Sequence, residues 1–96
     1  MDAVTREPLC PVCGFGLWFE PWRAGSPADE ICPCCGIQFG YDDAAGGREE
    51  ARPDVYRRWR EDWVRSGMPW RGAGEPPPTD WDPRAQLRRI GEAAQR

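Results

Sequence analysis

Four of the five cysteines fall into two matching pairs, Cys10-Pro11-Val12-Cys13-Gly14 and Cys32-Pro33-Cys34-Cys35-Gly36. Two residues between cysteines let a tight turn aim both sulfurs at one point. Proline after the first cysteine pre-sets the backbone angle of that turn. Glycine after the second permits a positive backbone angle, so amide N–H groups can turn toward the sulfurs. The pairs are separated by 18 residues, enough for a hairpin that brings the two knuckles together. This C-x2-C repeat is a strong signal for a tetrahedral metal site, and the expected ligands are Cys10, Cys13, Cys32 and Cys35. The expected ion is one structural Zn²⁺, about 2.3 Å from each sulfur. A C-P-x-C-G knuckle also holds iron in rubredoxins, which makes an iron electron carrier an alternative, although the spacing between pairs here is shorter. A redox dithiol is the remaining alternative.

Cys34 is left over. It matches Val12 in the repeat, and ligation through it in place of Cys35 would break the echo. It is expected as a small packed or partly exposed side chain, with an alternate ligand or a reactive thiol as the functional alternative.

Other chemistry finds little support. The chain has no histidine, which removes the commonest general acid or base. There is no phosphate-binding glycine loop and no nucleophile elbow. Four thiolates close a zinc coordination shell and leave no position for water. The expectation is therefore a protein that is not an enzyme. All 13 basic residues are arginine, yet the formal net charge is -3. An acidic balance is a poor starting point for binding a phosphate backbone, so a nucleic-acid-binding ribbon ranks below a protein-interaction or regulatory module. An apolar leader and an 18-residue apolar run are both lacking, and the expected location is the cytoplasm, where close cysteines favour metal over disulfide.

The elements that must position the cysteines follow from the remaining pattern. In a chain of 96 residues, one metal-stapled α+β domain is expected, residues 1–96, with a zinc ribbon over 9–43 and a helical part over 53–94. Residues 1–8 read as a loose arm. Gly14 to Glu20 is expected to form one strand of a hairpin, Pro21 to Asp29 its loop, and Glu30 and Ile31 the return. Ile37, Phe39 and Tyr41 alternate with Gln38 and Gly40, a strand-like period of two. Asp42 and Asp43 read as surface turn residues. A helix is expected from Pro53 to Ser66, with Val55, Tyr56, Trp59, Trp63 and Val64 as its apolar stripe and Gly67 as its stop. Its other face, with Arg48 and Arg52 just before it, carries Arg57, Arg58, Arg60 and Arg65 interrupted by acids. Met68 to Thr79 should be an extended connector. Asp82 and Pro83 read as the N-cap and first turn of a second helix reaching about Ala94. Trp18, Trp22, Trp70 and Trp81 are hard to bury together in so small a domain, so some of them are expected in an exposed aromatic patch.

The stretch EICPCCGIQFGYDD, preceded by CPVCG, resembles the bacterial cysteine-rich CPCC family. The segments YRRWREDWVRSGMPWRG and PPPTDWDPRAQLRRI look like the ending of that family, and the likeness spans residues 9–91. It implies the same four ligands, Cys10, Cys13, Cys32 and Cys35. It also implies that Tyr56, Trp59, Trp63, Trp81, Gln86, Leu87 and Ile90 shape the fold. No activity comes with it. Arg88 and Arg89 depart from the polar residues expected before the final isoleucine.

Overall fold

The computed structural model describes residues 7–92. Most of the loose arm expected at the start, and the expected helix end at Ala94, lie outside the described residues. The order of elements is β1 (Trp22–Arg23), β2 (Ser26–Pro27), a 3-10 turn at Ala45–Gly47, another at Glu49–Ala51, α1 (Arg52–Arg65) and α2 (Pro83–Arg89). Among the described residues the result is a small α+β arrangement with one two-stranded hairpin and two helices.

The two knuckles come first, and they repeat each other bond for bond. In the first, the Cys10 amide donates to the Phe15 carbonyl at 2.9 Å, the Gly14 amide to Cys10 at 2.9 Å, and the Leu17 amide to Pro8 at 2.8 Å. In the second, Cys32 donates to Ile37 at 2.9 Å, Gly36 to Cys32 at 2.9 Å, and Phe39 to Glu30 at 3.0 Å. Gly14 and Gly36 sit at φ of 83° and 84°, the left-handed region in which glycine meets no Cβ penalty. Isolated antiparallel bridges, Leu9 to Gly16 and Ile31 to Gln38, flank the knuckles. The five-residue echo in the sequence is thus the centre of a longer structural repeat, residues 8–17 against 30–39.

This closure of each knuckle on its own flanks displaces the hairpin from its expected place. The backbone of 15–17 is turned back onto residues 8–10 and has no long edge to offer a partner. The strands form inside the expected loop instead, where Trp22 pairs with Pro27 and Arg23 with Ser26. Ala24 and Gly25 connect them at φ of 51° and 84°, the two successive positive angles of a type I′ turn, whose twist matches the flanking strands. Pro27 has no N–H to donate, which keeps the pairing short. The strand expected over Ile37 to Tyr41 is likewise reduced to the single bridge at Gln38. Ile37 and Phe39 are buried, but Tyr41 is exposed, because the chain turns when Tyr41 and Asp42 both donate their amides to the Gln38 carbonyl.

Helix α1 falls within a residue of its expected bounds. Pro53 lies in its first turn, where the missing N–H costs nothing, and its C-terminus is a Schellman motif: the Gly67 amide donates to Val64, and the Met68 amide to Trp63, satisfying carbonyls that the helix cannot. In α2 the Asp82 carboxylate accepts from the Ala85 amide at 3.1 Å, as its N-cap role requires. This helix is shorter than expected. Gly91, at φ of 79°, ends it through a second Schellman pair, Gly91 to Arg88 and Glu92 to Leu87.

The connector from Gly67 to Asp82 is irregular but anchored. The Arg71 amide donates to the Cys34 carbonyl, Trp63 Nε1 to Pro69 and Trp70 Nε1 to Glu75. Trp70 meets Phe15 and Trp81 edge-on, a favoured arrangement of aromatic quadrupoles. One buried cluster joins all five cysteines with Val12, Leu17, Ile37, Phe39, Trp63, Met68 and Leu87. Both helices therefore press their apolar sides onto the knuckles. No helix among the described residues is long and apolar enough to cross a membrane.

Candidate metal centre

The knuckles converge on a cluster of four sulfurs. The Sγ atoms of Cys10, Cys13, Cys32 and Cys35 all lie within 4.8 Å of one another, and all four residues are buried. Cys10 lies 3.8 Å from Cys35, and Cys13 lies 3.8 Å from Cys32. A disulfide would hold its sulfurs near 2.05 Å. A tetrahedral ion about 2.3 Å from each sulfur would hold them roughly 3.8 Å apart, so the donor set fits such an ion. Among the described residues, no carboxylate joins the group.

The electrostatics of the cluster follow from burial and from hydrogen bonds among the sulfurs. Burial, the largest cause, pushes the Cys13 and Cys35 thiols well above their ordinary range. Cys32 moves the other way, because hydrogen bonds from Cys10, then Cys13 and Cys35, stabilise its thiolate. Burial thus disfavours charge on Cys13 and Cys35, while hydrogen bonding favours it on Cys32. A divalent ion would remove the penalty on Cys13 and Cys35 and release their protons. The Val12 amide adds a weak contact to Cys10 Sγ at 3.4 Å.

Side chains from both helices hold the knuckles in register. On α1, Trp59 Nε1 donates to the Cys35 carbonyl at 3.0 Å. The neighbouring Arg60 donates to the Pro11 and Val12 carbonyls, each at 2.8 Å. One turn of helix therefore grips both knuckles. Arg60 also pairs with Glu92, and only 14% of its side chain is exposed. From α2, Gln86 donates through Nε2 to Cys34 Sγ at 3.1 Å, while its Oε1 accepts from Trp81 Nε1 at 3.1 Å. Cys34 is wholly buried and lies outside the four-sulfur cluster.

Asp43, expected on the surface, is buried completely. Its carboxylate accepts from Trp22 Nε1 at 2.8 Å, the Gly40 amide at 2.6 Å and Tyr56 Oη at 2.7 Å. Three donors satisfy a charge that would otherwise be costly to bury. The same network ties the hairpin to α1, and Arg52 stacks its guanidinium 3.4 Å over the Trp22 ring. Burial, followed by the hydrogen bond to Asp43, raises the Tyr56 phenol above its ordinary value. Nothing in the local pattern distinguishes Asp43 from Asp42; its partners come from positions 22 and 56. The sequence likewise gave no sign that Arg60, set among exposed arginines, would turn inward.

By sequence, the chain is similar to the uncharacterized protein YoaQ of Bacillus subtilis (strain 168), with 35% identity over 69 residues, covering 62% of this chain and 58% of YoaQ. The chain thus spans less than two thirds of that relative's length. No family model matches the chain, and no solved structure matches it.

Proposed function

We propose that this chain is a zinc ribbon of the cysteine-rich CPCC type. Cys10, Cys13, Cys32 and Cys35 hold one structural Zn²⁺, and the domain serves as a cytoplasmic protein-interaction or regulatory module. The observation that carries this reading is the buried all-sulfur cluster, with its 3.8 Å pairs. Four thiolates complete a tetrahedral shell and leave no place for substrate or water, so the ion acts as a staple and not as a catalyst. A structural zinc can contribute about 10–16 kcal/mol to folding, comparable with the whole stability of a small domain.

The arginines that a nucleic-acid reading would use are largely engaged. Arg57 pairs with Asp54 and Glu61, Arg58 with Asp54, and Arg65 with Asp62, while Arg60 is turned onto the first knuckle. That favours a protein partner over nucleic acid.

Elemental analysis of the purified protein tests the metal. One zinc per chain, a colourless solution and loss of the ion in Cys35→Ser but not Cys34→Ser are expected. One iron per chain with visible absorption would replace the zinc reading with that of an electron carrier. An absence of any bound metal would remove both.

A further inference from the structure

Outside the metal site, charge and aromatic exposure are distributed unevenly. Residues 9–43 contain five carboxylates, Glu20, Asp29, Glu30, Asp42 and Asp43, and one arginine, Arg23. A zinc tetrathiolate would add about two more negative charges to this part. The three large exposed apolar side chains of the described residues also lie here: Trp18 at 67%, Ile31 at 53% and Tyr41 at 75% exposure.

The fold gathers these residues into one neighbourhood. The Phe19 ring packs edge-on with both Trp18 and Phe39. The Phe39 amide bonds the Glu30 carbonyl, and Ile31 bridges to Gln38. The Asp29 carboxylate lies against Gly40, the residue before Tyr41. Glu20, Asp29 and Glu30 are exposed, and among the described residues no arginine pairs with any of them. In the helical half Glu50, Asp54, Glu61, Asp62 and Glu92 carry arginine partners, while Glu49, Glu75 and Asp80 are exposed like the three acids here but stand without an exposed large apolar side chain among the described residues of their half. The chain already stacks one guanidinium on an aromatic ring, Arg52 over Trp22, whose Nε1 in turn donates to the Asp43 carboxylate. Trp18 and Tyr41 with Glu20, Asp29 and Glu30 supply rings and carboxylates at the surface without the guanidinium.

We infer that this acidic aromatic face docks an arginine-rich segment of a partner protein, whose guanidinium groups stack on Trp18 and Tyr41 and pair with Glu20, Asp29 and Glu30. Guanidinium is the cation that both stacks on rings and pairs with carboxylates in a planar fork. The inference rests on the interaction-module reading above and assigns that module its surface.

The test uses the full metal-loaded chain and a fluorescein-labelled peptide of Arg, Gly and Ser, read by anisotropy. Binding that weakens with salt is expected. Glu20→Gln, Asp29→Asn and Glu30→Gln together should weaken it about tenfold or more, and Trp18→Ser with Tyr41→Ser about fivefold. Glu49→Gln, Glu75→Gln and Asp80→Asn, the same change in net charge on exposed helical-half positions, should leave it unchanged. NMR shifts in the unmodified protein should concentrate at residues 18–20, 29–31 and 41, which locates the face without any variant. Equal weakening by both charge triplets, shifts elsewhere, no binding, or tighter binding of single-stranded DNA would each overturn the inference. Metal content measured on the same samples separates the outcomes: stoichiometric zinc without peptide binding defeats this surface alone, whereas a metal-free native protein defeats the zinc reading itself.

Discussion

Gly14 and Gly36 occupy equivalent positions in the two knuckles, with φ of 83° and 84°, yet alanine should not cost the same at each. Backbone strain is shared: a non-glycine residue in the left-handed region costs about 1–2 kcal/mol. The surroundings differ. A Cβ at Gly36 would meet the Cδ of Arg71 at 3.2 Å, part of an exposed and flexible side chain that can move aside. A Cβ at Gly14 would overlap the Gln86 carbonyl oxygen and lie 2.8 Å from its carbon, both backbone atoms of α2. Relief there requires the helix to shift, disturbing buried Leu87 and the contact from Gln86 to Cys34. Overpacking of this kind costs about 1–3 kcal/mol beyond the strain. Gly36→Ala should therefore lose about 1–2 kcal/mol and Gly14→Ala about 2–5 kcal/mol. Urea unfolding at fixed free zinc reads the difference. With a slope of about 1–3 kcal/mol per molar, the Gly14 variant should melt roughly 1 M earlier than the Gly36 variant. Equal midpoints, or the reverse order, would show that α2 does not rest on the first knuckle as described.

Cys34→Ala should keep one metal per chain but leave the Gln86 amide without its acceptor, lowering stability by about 1–3 kcal/mol in the same unfolding measurement. Asp43→Ala strands the donors of Trp22, Gly40 and Tyr56 and should cost about 3 kcal/mol or more by urea denaturation. Because the folded-state value of the Tyr56 phenol is raised, its contribution is fully present below the unfolded value of about 10 and declines as the pH rises above it. Stability profiles in alkaline buffer should therefore fall less steeply for Tyr56→Phe than for the wild type. Ala24 holds the first positive φ of the hairpin turn, 51°, so Ala24→Asn should raise the thermal midpoint, by about 0.5–1 kcal/mol in free energy.

Much of the centre was legible along the chain because its determinants are local. Residue type and a spacing of two define each knuckle, proline and glycine set its turn, and the echo marks Cys35 over Cys34 as the member of the sulfur cluster. The span of α1 was legible for a similar reason: its stripe, early proline and terminal Gly67 all act within a few residues. The early end of α2 was also written locally, in Gly91, but the apolar pattern running on to Ala94 masked it. The strand expected at 14–20 was lost to a competition that alternation does not record, since each knuckle's flanks pair with each other and not across.

Tertiary structure alone decided which polar groups turn inward. Asp43 is buried because Trp22 and Tyr56 arrive from distant positions with donors. Arg60 leaves its row of arginines because bare carbonyls of the first knuckle lie beneath it. Gln86 meets Cys34 across 52 positions. Each case depends on satisfying a hydrogen-bonding group removed from water, and the partner that satisfies it is fixed by the fold and not by neighbouring letters. The sequence determined that four sulfurs would gather; the packing of two helices determined what holds them in place.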